Sequence, residues 1–358
     1  MKELKTLIRK ELVDFSPYVP GEQPPLTQNT IKLNTNENPY PPSPKIETAL
    51  LDVVKNGVLR KYPNYHAEGL QTAIADEYHL DPKQILVTNG SDEAIRLLFQ
   101  ALISQGDVVV APEPTYSYYP VLCEQVMMGA NYIAVPVKEN LELDIDALLK
   151  EQGKLLCFAN PNAPTGILES KENLIKLISN FQGIVLSDEA YIDFAGENKS
   201  LIPEIKNHPN LVVTRTFSKS YALAGLRVGY LVGNIELINW IRKLKDSYNV
   251  GILDQVVALT SFLDKDYFIE KRNLVIEERE SLKKELEKIG YFVPNSRANF
   301  LFCKPKVGQS PETIYKTLKE QNIHIRYFGT GISKNFIRIT IGTKEENKVL
   351  LEALKKIG

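Results

Sequence analysis

Between residues 84 and 233 the chain carries short, almost wholly apolar runs: "QILVT", "DVVVA", "YIAVPV", "KLLCFAN", "GIVLSD", "NLVVTRTF" and "VGYLVG". Runs this short, without polar alternation, suit strands covered on both faces, which predicts a mainly parallel sheet with helices on either side. Stretches such as "PKIETALLDVVKNG" and "HAEGLQTAIADEYH" place apolar residues three to four apart, the period of amphipathic helices. From about residue 234 the texture changes. A long, charged helical region over about 266–289 precedes "YFVPNSRANFLFCKP", a helix over 311–321, and "FIRITIG". In that last run Phe336, Arg338 and Thr340 share one face, while Ile337, Ile339 and Ile341 share the other, toward a core. The N-terminal "PYVPGEQPPLTQNTIKLNTNENPYPPSP" is rich in Pro and Asn and reads as an extended arm, not as packed helix or strand. The expected fold is α/β. Residues 45–245 form a large domain whose mainly parallel sheet is covered by helices on both faces; residues 1–44 and 246–358 supply an N-terminal arm and a smaller α+β domain.

Composition narrows the function classes. In 358 residues, 43% hydrophobic and 24% charged is enough for a sizeable core, and a formal net charge of −1 argues against nucleic acid or an anionic membrane as partner. Any anion must be gripped locally. Cys123, Cys157 and Cys303 stand singly in apolar surroundings, as reduced core thiols of a cytoplasmic protein do. His66, His79, His208 and His324 lack metal-ligand spacing, so no metal is expected. The first residues, "MKELKTLIRKELVDF", suggest a short amphipathic helix without the apolar core of a signal peptide, and no apolar run approaches the ~20 residues of a bilayer span.

In open α/β sheets ligands bind beyond the carboxyl ends of the strands, so residues just after each apolar run carry the chemistry. After "QILVT", Gly90, Ser91 and Asp92 open a helix whose free N–H groups suit a phosphate, although a serine there is also an ordinary N-cap. After "DVVVAP", the stretch "EPTYSYY" offers Tyr116. After "KLLCFA", the Pro-interrupted "NPNAPTG" presents Asn160 and Asn162. Asp188 ends "GIVLSD", where a buried carboxylate needs a cation or several donors, and Tyr191 follows three residues on. After "NLVVTR" come Thr216, Ser218, Lys219 and, eight positions beyond the lysine, Arg227, whose planar fork suits phosphate.

One ligand satisfies this whole set, pyridoxal 5'-phosphate. Lys219 would hold its aldehyde as a Schiff base, and Asp188 would keep the ring nitrogen protonated, so that the ring remains an electron sink. Tyr191 and Asn162 would bond the phenolate oxygen, and Tyr116 would stack on the ring. The phosphate would lie at the helix N-terminus among Gly90, Ser91, Asp92, Thr216, Ser218 and Arg227. With Arg227 nearby, the Lys219 amine is expected to have a depressed pKa and to serve as a base.

With these residues in place the chain resembles the fold-type-I, class I/II aminotransferases, and is similar to their histidinol-phosphate branch. Besides "DEAY" and "TFSKSYALAGLRVGY", the similarity includes "KLNTNENPYPPSP", "RKYPNYHAEGLQTAIA", "TNGSDEAIRLL", "NPNAPTG", "ANFLF" and "FIRITIGT". It implies a homodimer with active sites at the interface, Tyr62 reaching the partner subunit's phosphate, Arg338 and Arg326 binding the substrate anion, and Tyr18 near the substrate. Ala163 stands where asparagine is commoner, and "YPN" replaces "YPD". The resemblance also implies transamination between histidinol phosphate and 2-oxoglutarate. Aromatic amino-acid transamination and decarboxylation of threonine phosphate remain open. A nucleotide-dependent dehydrogenase is disfavoured by the lack of GxGxxG after the first strand, and a non-catalytic regulator by the lack of a helix-turn-helix segment.

Overall fold

The computed structural model describes residues 4–8, 13, 17–25, 29–125 and 129–357. All seven apolar runs form strands of a single seven-stranded sheet: β2 (Ile85–Thr88), β3 (Val108–Glu113), β4 (Asn131–Pro136), β5 (Leu155–Ala159), β6 (Ile184–Asp188), β7 (Leu211–Thr216) and β8 (Gly229–Val232). Their order is β2-β8-β7-β6-β5-β3-β4, and β8 alone runs opposite to the other six. Alternation along each strand feeds two cores. Val87, Val110, Leu156, Phe158, Val185 and Val213 face one helical layer. Leu86, Val109, Cys157, Leu186, Val212 and Leu231 face the other. Burial on both faces explains why the runs lack polar alternation, except in the edge strand β4, where Val135 is the one buried residue.

The smaller lobe holds an antiparallel sheet, β11 (Arg326–Tyr327), β12 (Ile337–Thr340) and β9 (Phe300–Cys303), in the order β11-β12-β9. Ile337, Ile339 and Ile341 are fully buried against Leu282 and Leu286 of the long Lys265–Lys288 helix, so Arg338 faces the opposite way. The expected boundary at 245/246 precedes the Ile252–Leu263 helix, whose Val257, Ala258 and Phe262 belong to the large-lobe core. Arg279, 1% exposed, ties the lobes together, donating to the carbonyls of Phe194 at 3.0 Å and Ala298 at 3.1 Å.

The arm departs from its expected unpacked character. Ile31–Lys32 forms β1, paired parallel to β10 (Ile323–His324), and Leu33, Asn34 and Asn36 are buried. Leu33 joins the small-lobe core, which draws the polar residues after it between the lobes. The expected N-terminal helix lies mainly outside the described residues; within them Leu4–Leu7 makes one 3-10 turn. All three cysteines are buried free thiols. No helix among the described residues is long and apolar enough to cross a membrane.

Candidate active site

A cleft of about 270 Å³ opens beyond the carboxyl ends of β3, β5, β6 and β7, walled opposite by the arm and by β11–β12. The sheet order places a topological switch here: the chain leaves β3 outward to β4, then returns to β5 on the other side. Asp188 and Thr216 are the last residues of β6 and β7, and Lys219, Ser218, Arg227, Tyr191, Ser91, Asp92 and Tyr116 line the same cavity.

Lys219 reaches the Thr35 carbonyl with its Nζ at 3.2 Å. Burial, then the positive charge of Arg338, and more weakly that of Arg227, lower its pKa to about 8. The depression expected from Arg227 is therefore present, but desolvation and Arg338 contribute more. Asn38 Nδ2 donates to the carbonyls of Lys219 and Ser220, both at 3.1 Å, and the Ser220 hydroxyl donates to Asp193, which pairs with Arg215. The lysine loop is clamped from both sides.

Asp188 is 4% exposed and accepts from Ala190 N–H at 3.2 Å and Tyr119 hydroxyl at 3.3 Å. No basic side chain among the described residues pairs with it, and burial lifts its pKa to about 7. A buried carboxylate without a cation is expensive to keep ionised, so the pocket favours a positive group beside it.

The phosphate-type features converge at one helix. The Gly90–Leu102 helix begins with no side chain capping its first N–H groups; Asn89 is the N-cap, so Ser91 stands inside the first turn. Arg227 lies against it, donating to Ser218 Oγ at 3.1 Å and to Asp92 at 3.0 Å. Gly90, with φ of +79°, admits this contact: a Cβ there would come within 2.8 Å of Arg227 Nη2. Thr216 Oγ1 accepts from Ser218 N–H at 3.1 Å, and Tyr116 donates to Asp92 at 3.0 Å. Free helix N–H groups beside a guanidinium form an anion cradle.

Across the cleft, Arg326 and Arg338 are direct partners in the β11–β12 register. Neither pairs with a carboxylate among the described residues. Arg338 Nη2 donates to the Asn34 carbonyl at 3.1 Å, while its Nε is buried without a partner. Like charges directly opposite on a ladder repel unless an anion joins them. Tyr18 packs edge-on against Tyr116 and Tyr118 at the same mouth.

Two expected residues lie elsewhere. Asn162 is buried behind the cleft wall, its Nδ2 donating to the Pro114 carbonyl at 2.9 Å and its Oδ1 accepting from Thr115 at 3.2 Å; Ala163 and Pro164 line the cavity instead. Tyr62 is 80% exposed and stacks on Tyr248, away from this chain's cleft. Sequence reasoning from strand ends missed Tyr119 and the arm residues Asn34, Thr35, Asn36 and Asn38. A signal was present: asparagines recur at alternate positions 34, 36 and 38 of the arm.

The donor set fits pyridoxal phosphate. It comprises a depressed lysine amine, a buried carboxylate lacking a cation, an uncapped helix N-terminus with an arginine, and a separate pair of arginines. The family model for class I and II aminotransferases matches residues 28–354. A Syntrophus aciditrophicus (strain SB) protein named histidinol-phosphate aminotransferase is 41% identical over 363 residues, 99% of this chain and 98% of that protein. The solved histidinol-phosphate aminotransferase from Clostridium acetobutylicum matches with a TM-score of 0.83 at 26% identity, over 91% of this chain and 98% of that one. Another, from Sinorhizobium meliloti in complex with pyridoxal-5'-phosphate, has a TM-score of 0.84 at 22% identity over 92% of each chain. On matches that run through both lobes and through every cleft residue from Asn34 to Arg338, this chain belongs to the class I and II aminotransferases.

Proposed function

We propose that this enzyme moves an amino group between histidinol phosphate and 2-oxoglutarate, giving imidazole acetol phosphate and glutamate in histidine biosynthesis, with pyridoxal phosphate as its cofactor. The observation that carries the substrate class is the unneutralised Arg326–Arg338 pair, separated from the Arg227 cradle within one cleft. One anion site serves the cofactor phosphate. The other serves an anionic substrate, taking the phosphate of histidinol phosphate or a carboxylate of glutamate in turn.

Pyridoxal phosphate, when bound, supplies an aldehyde for exchange with amines and a protonated ring that withdraws electrons from the substrate carbon. The chain's own groups do the rest. Ser91, Thr216, Ser218 and Arg227, with the helix N-terminus, would hold the phosphate. Lys219 would carry the aldehyde. A pKa of about 8 leaves Lys219 Nζ unprotonated in about a tenth of molecules at pH 7, against fewer than about one in a thousand at its ordinary 10.5, so the same nitrogen can take and return a proton at the substrate carbon. The Asp188 carboxylate would hold positive charge on the ring nitrogen. Tyr191 and Tyr116 would flank the ring, with Asn162 supporting the wall beneath. Tyr18 would close over the bound substrate.

The reading includes a cytoplasmic homodimer in which Tyr62 reaches the partner subunit's phosphate site; its 80% exposure in the single chain supports that role. The deciding experiment compares kcat/KM for histidinol phosphate, phenylalanine, tyrosine and threonine phosphate with 2-oxoglutarate as acceptor. Histidinol phosphate is expected to lead. An aromatic amino acid ahead by about tenfold, roughly 1.4 kcal/mol, would overturn the substrate assignment. Release of carbon dioxide from threonine phosphate would overturn the reaction type.

A further inference from the structure

Asn36 joins three parts of the molecule. Its Nδ2 donates to the Tyr191 hydroxyl at 3.0 Å, and its Oδ1 accepts from Thr340 Oγ1 at 3.1 Å. Its backbone N–H donates to the same Thr340 oxygen at 3.0 Å, and its carbonyl accepts from Asn299 Nδ2 at 3.0 Å. Among the described residues Oδ1 is the one acceptor for the Thr340 hydroxyl proton, and a flipped amide would leave that proton unpaired, so it goes to Oδ1. This sets the amide's orientation, with Nδ2 toward Tyr191. A hydroxyl that accepts from an amide keeps its own proton for another acceptor, and among the described residues the Tyr191 hydroxyl has no second partner. Tyr191 lines the cleft, and Lys219 Nζ lies 5.8 Å from its ring centre.

We propose that Asn36 is a positioning residue: it aims the Tyr191 hydroxyl proton into the cleft, toward the oxygen substituent of the cofactor ring, and links that aim to β12, the strand carrying Arg338. The proposal rests on the transaminase reading above. Asn36 is 1% exposed and has a φ of 55°, a left-handed conformation that asparagine tolerates better than most residues. Its position follows from side-chain bonding on both sides of the lobe boundary. Burial raises the Tyr191 pKa most; Arg338 and then the Asn36 bond oppose that rise, Asp188 and Asp92 add to it, and the Lys219 amine faces the same ring.

The test follows visible absorbance against pH in the enzyme loaded with pyridoxal phosphate. A hydroxyl donating to the ring oxygen stabilises its anion and lets the nitrogen linked to Lys219 lose its proton at lower pH. Asn36→Gly suits the left-handed backbone and removes only the amide. It should move the absorbance midpoint upward by about half a pH unit or more. Asn36→Asp, nearly isosteric, should move it further, because the carboxylate takes the tyrosine proton for itself. In a Tyr191→Phe background, Asn36→Gly should add nothing. An unchanged midpoint in a folded Asn36→Gly enzyme, or equal shifts with and without the Tyr191 hydroxyl, would overturn the proposal. A wild-type enzyme with no visible band that Lys219→Ala abolishes would instead remove the transaminase reading on which it stands.

Discussion

Lys219 and Asp188 face one cavity, and burial pushes each toward its neutral form. For Asp188 the rise from the ordinary 3.8 to about 7 means the folded chain binds the proton more tightly than the unfolded one. The stability this confers is complete below about pH 4 and is lost as pH rises through about 7, a swing of roughly 4 kcal/mol at about 1.4 kcal/mol per pH unit. Asp188→Asn should therefore raise the melting temperature of the cofactor-free protein at pH 8, and the gain should shrink as pH falls toward 5. Thermal unfolding of both proteins across that range checks it, and an equal or lower melting temperature at pH 8 would refute it. The same substitution should remove most turnover, which sets the stability of this residue against its function. Lys219→Ala should abolish both turnover and the visible band that pyridoxal phosphate otherwise develops, read by spectrophotometry.

At the scale of elements, the cradle depends on how closely β8 approaches the Gly90–Leu102 helix. A Cβ on Gly229 would lie 2.6 Å from Ser91 N and 2.7 Å from the Gly90 carbonyl carbon, both backbone atoms that cannot rotate away. Gly229→Ala should lower stability by about 1–3 kcal/mol and weaken cofactor binding, measured by denaturant unfolding and cofactor titration. Gly225→Ala, with nothing within 4 Å of the added carbon, is the matched control and should change neither. The β11–β12 ladder makes a different prediction. Arg326→Gln relieves a cross-strand repulsion, so without bound anion the variant should be as stable as wild type or better by about 0.5 kcal/mol, while its KM for both substrates rises. Inorganic phosphate should stabilise wild type more than the variant in thermal unfolding. Equal stabilisation would show that the pair is not an anion site.

At the scale of the whole molecule, the cleft lies between lobes and is closed by an arm that belongs to neither in sequence. The proposed dimer adds a further wall. If Tyr62 completes the partner's site, mixing inactive Lys219→Ala with a Tyr62→Ala variant should restore up to about a quarter of wild-type activity, because half of randomly exchanged dimers then carry one intact site. Activity no greater than the sum of the parents, in a preparation shown by sedimentation to contain mixed dimers, would place Tyr62 outside the partner's site.

The seven strands and the helices around them were legible along the chain, because burial on both faces removes polar residues from a strand and burial on one face imposes a helical period. The same logic located Asp188, Thr216, Ser218, Lys219 and Arg227, since strand ends of an open sheet must meet at one edge. It could not see Tyr119 beneath Asp188, or Asn36 and Asn38 against Tyr191 and Lys219: contacts across 69, 155 and 181 residues leave no local period. Asn162 shows the converse, a residue whose loop was readable but whose amide turns into the wall because Pro114 and Thr115 need its bonds. Local patterning records which face of an element avoids water. Which side chains meet across the cleft, and which charges there lack partners, is decided by tertiary packing, because hydrogen bonds and desolvation depend on neighbours in space and not on order along the chain.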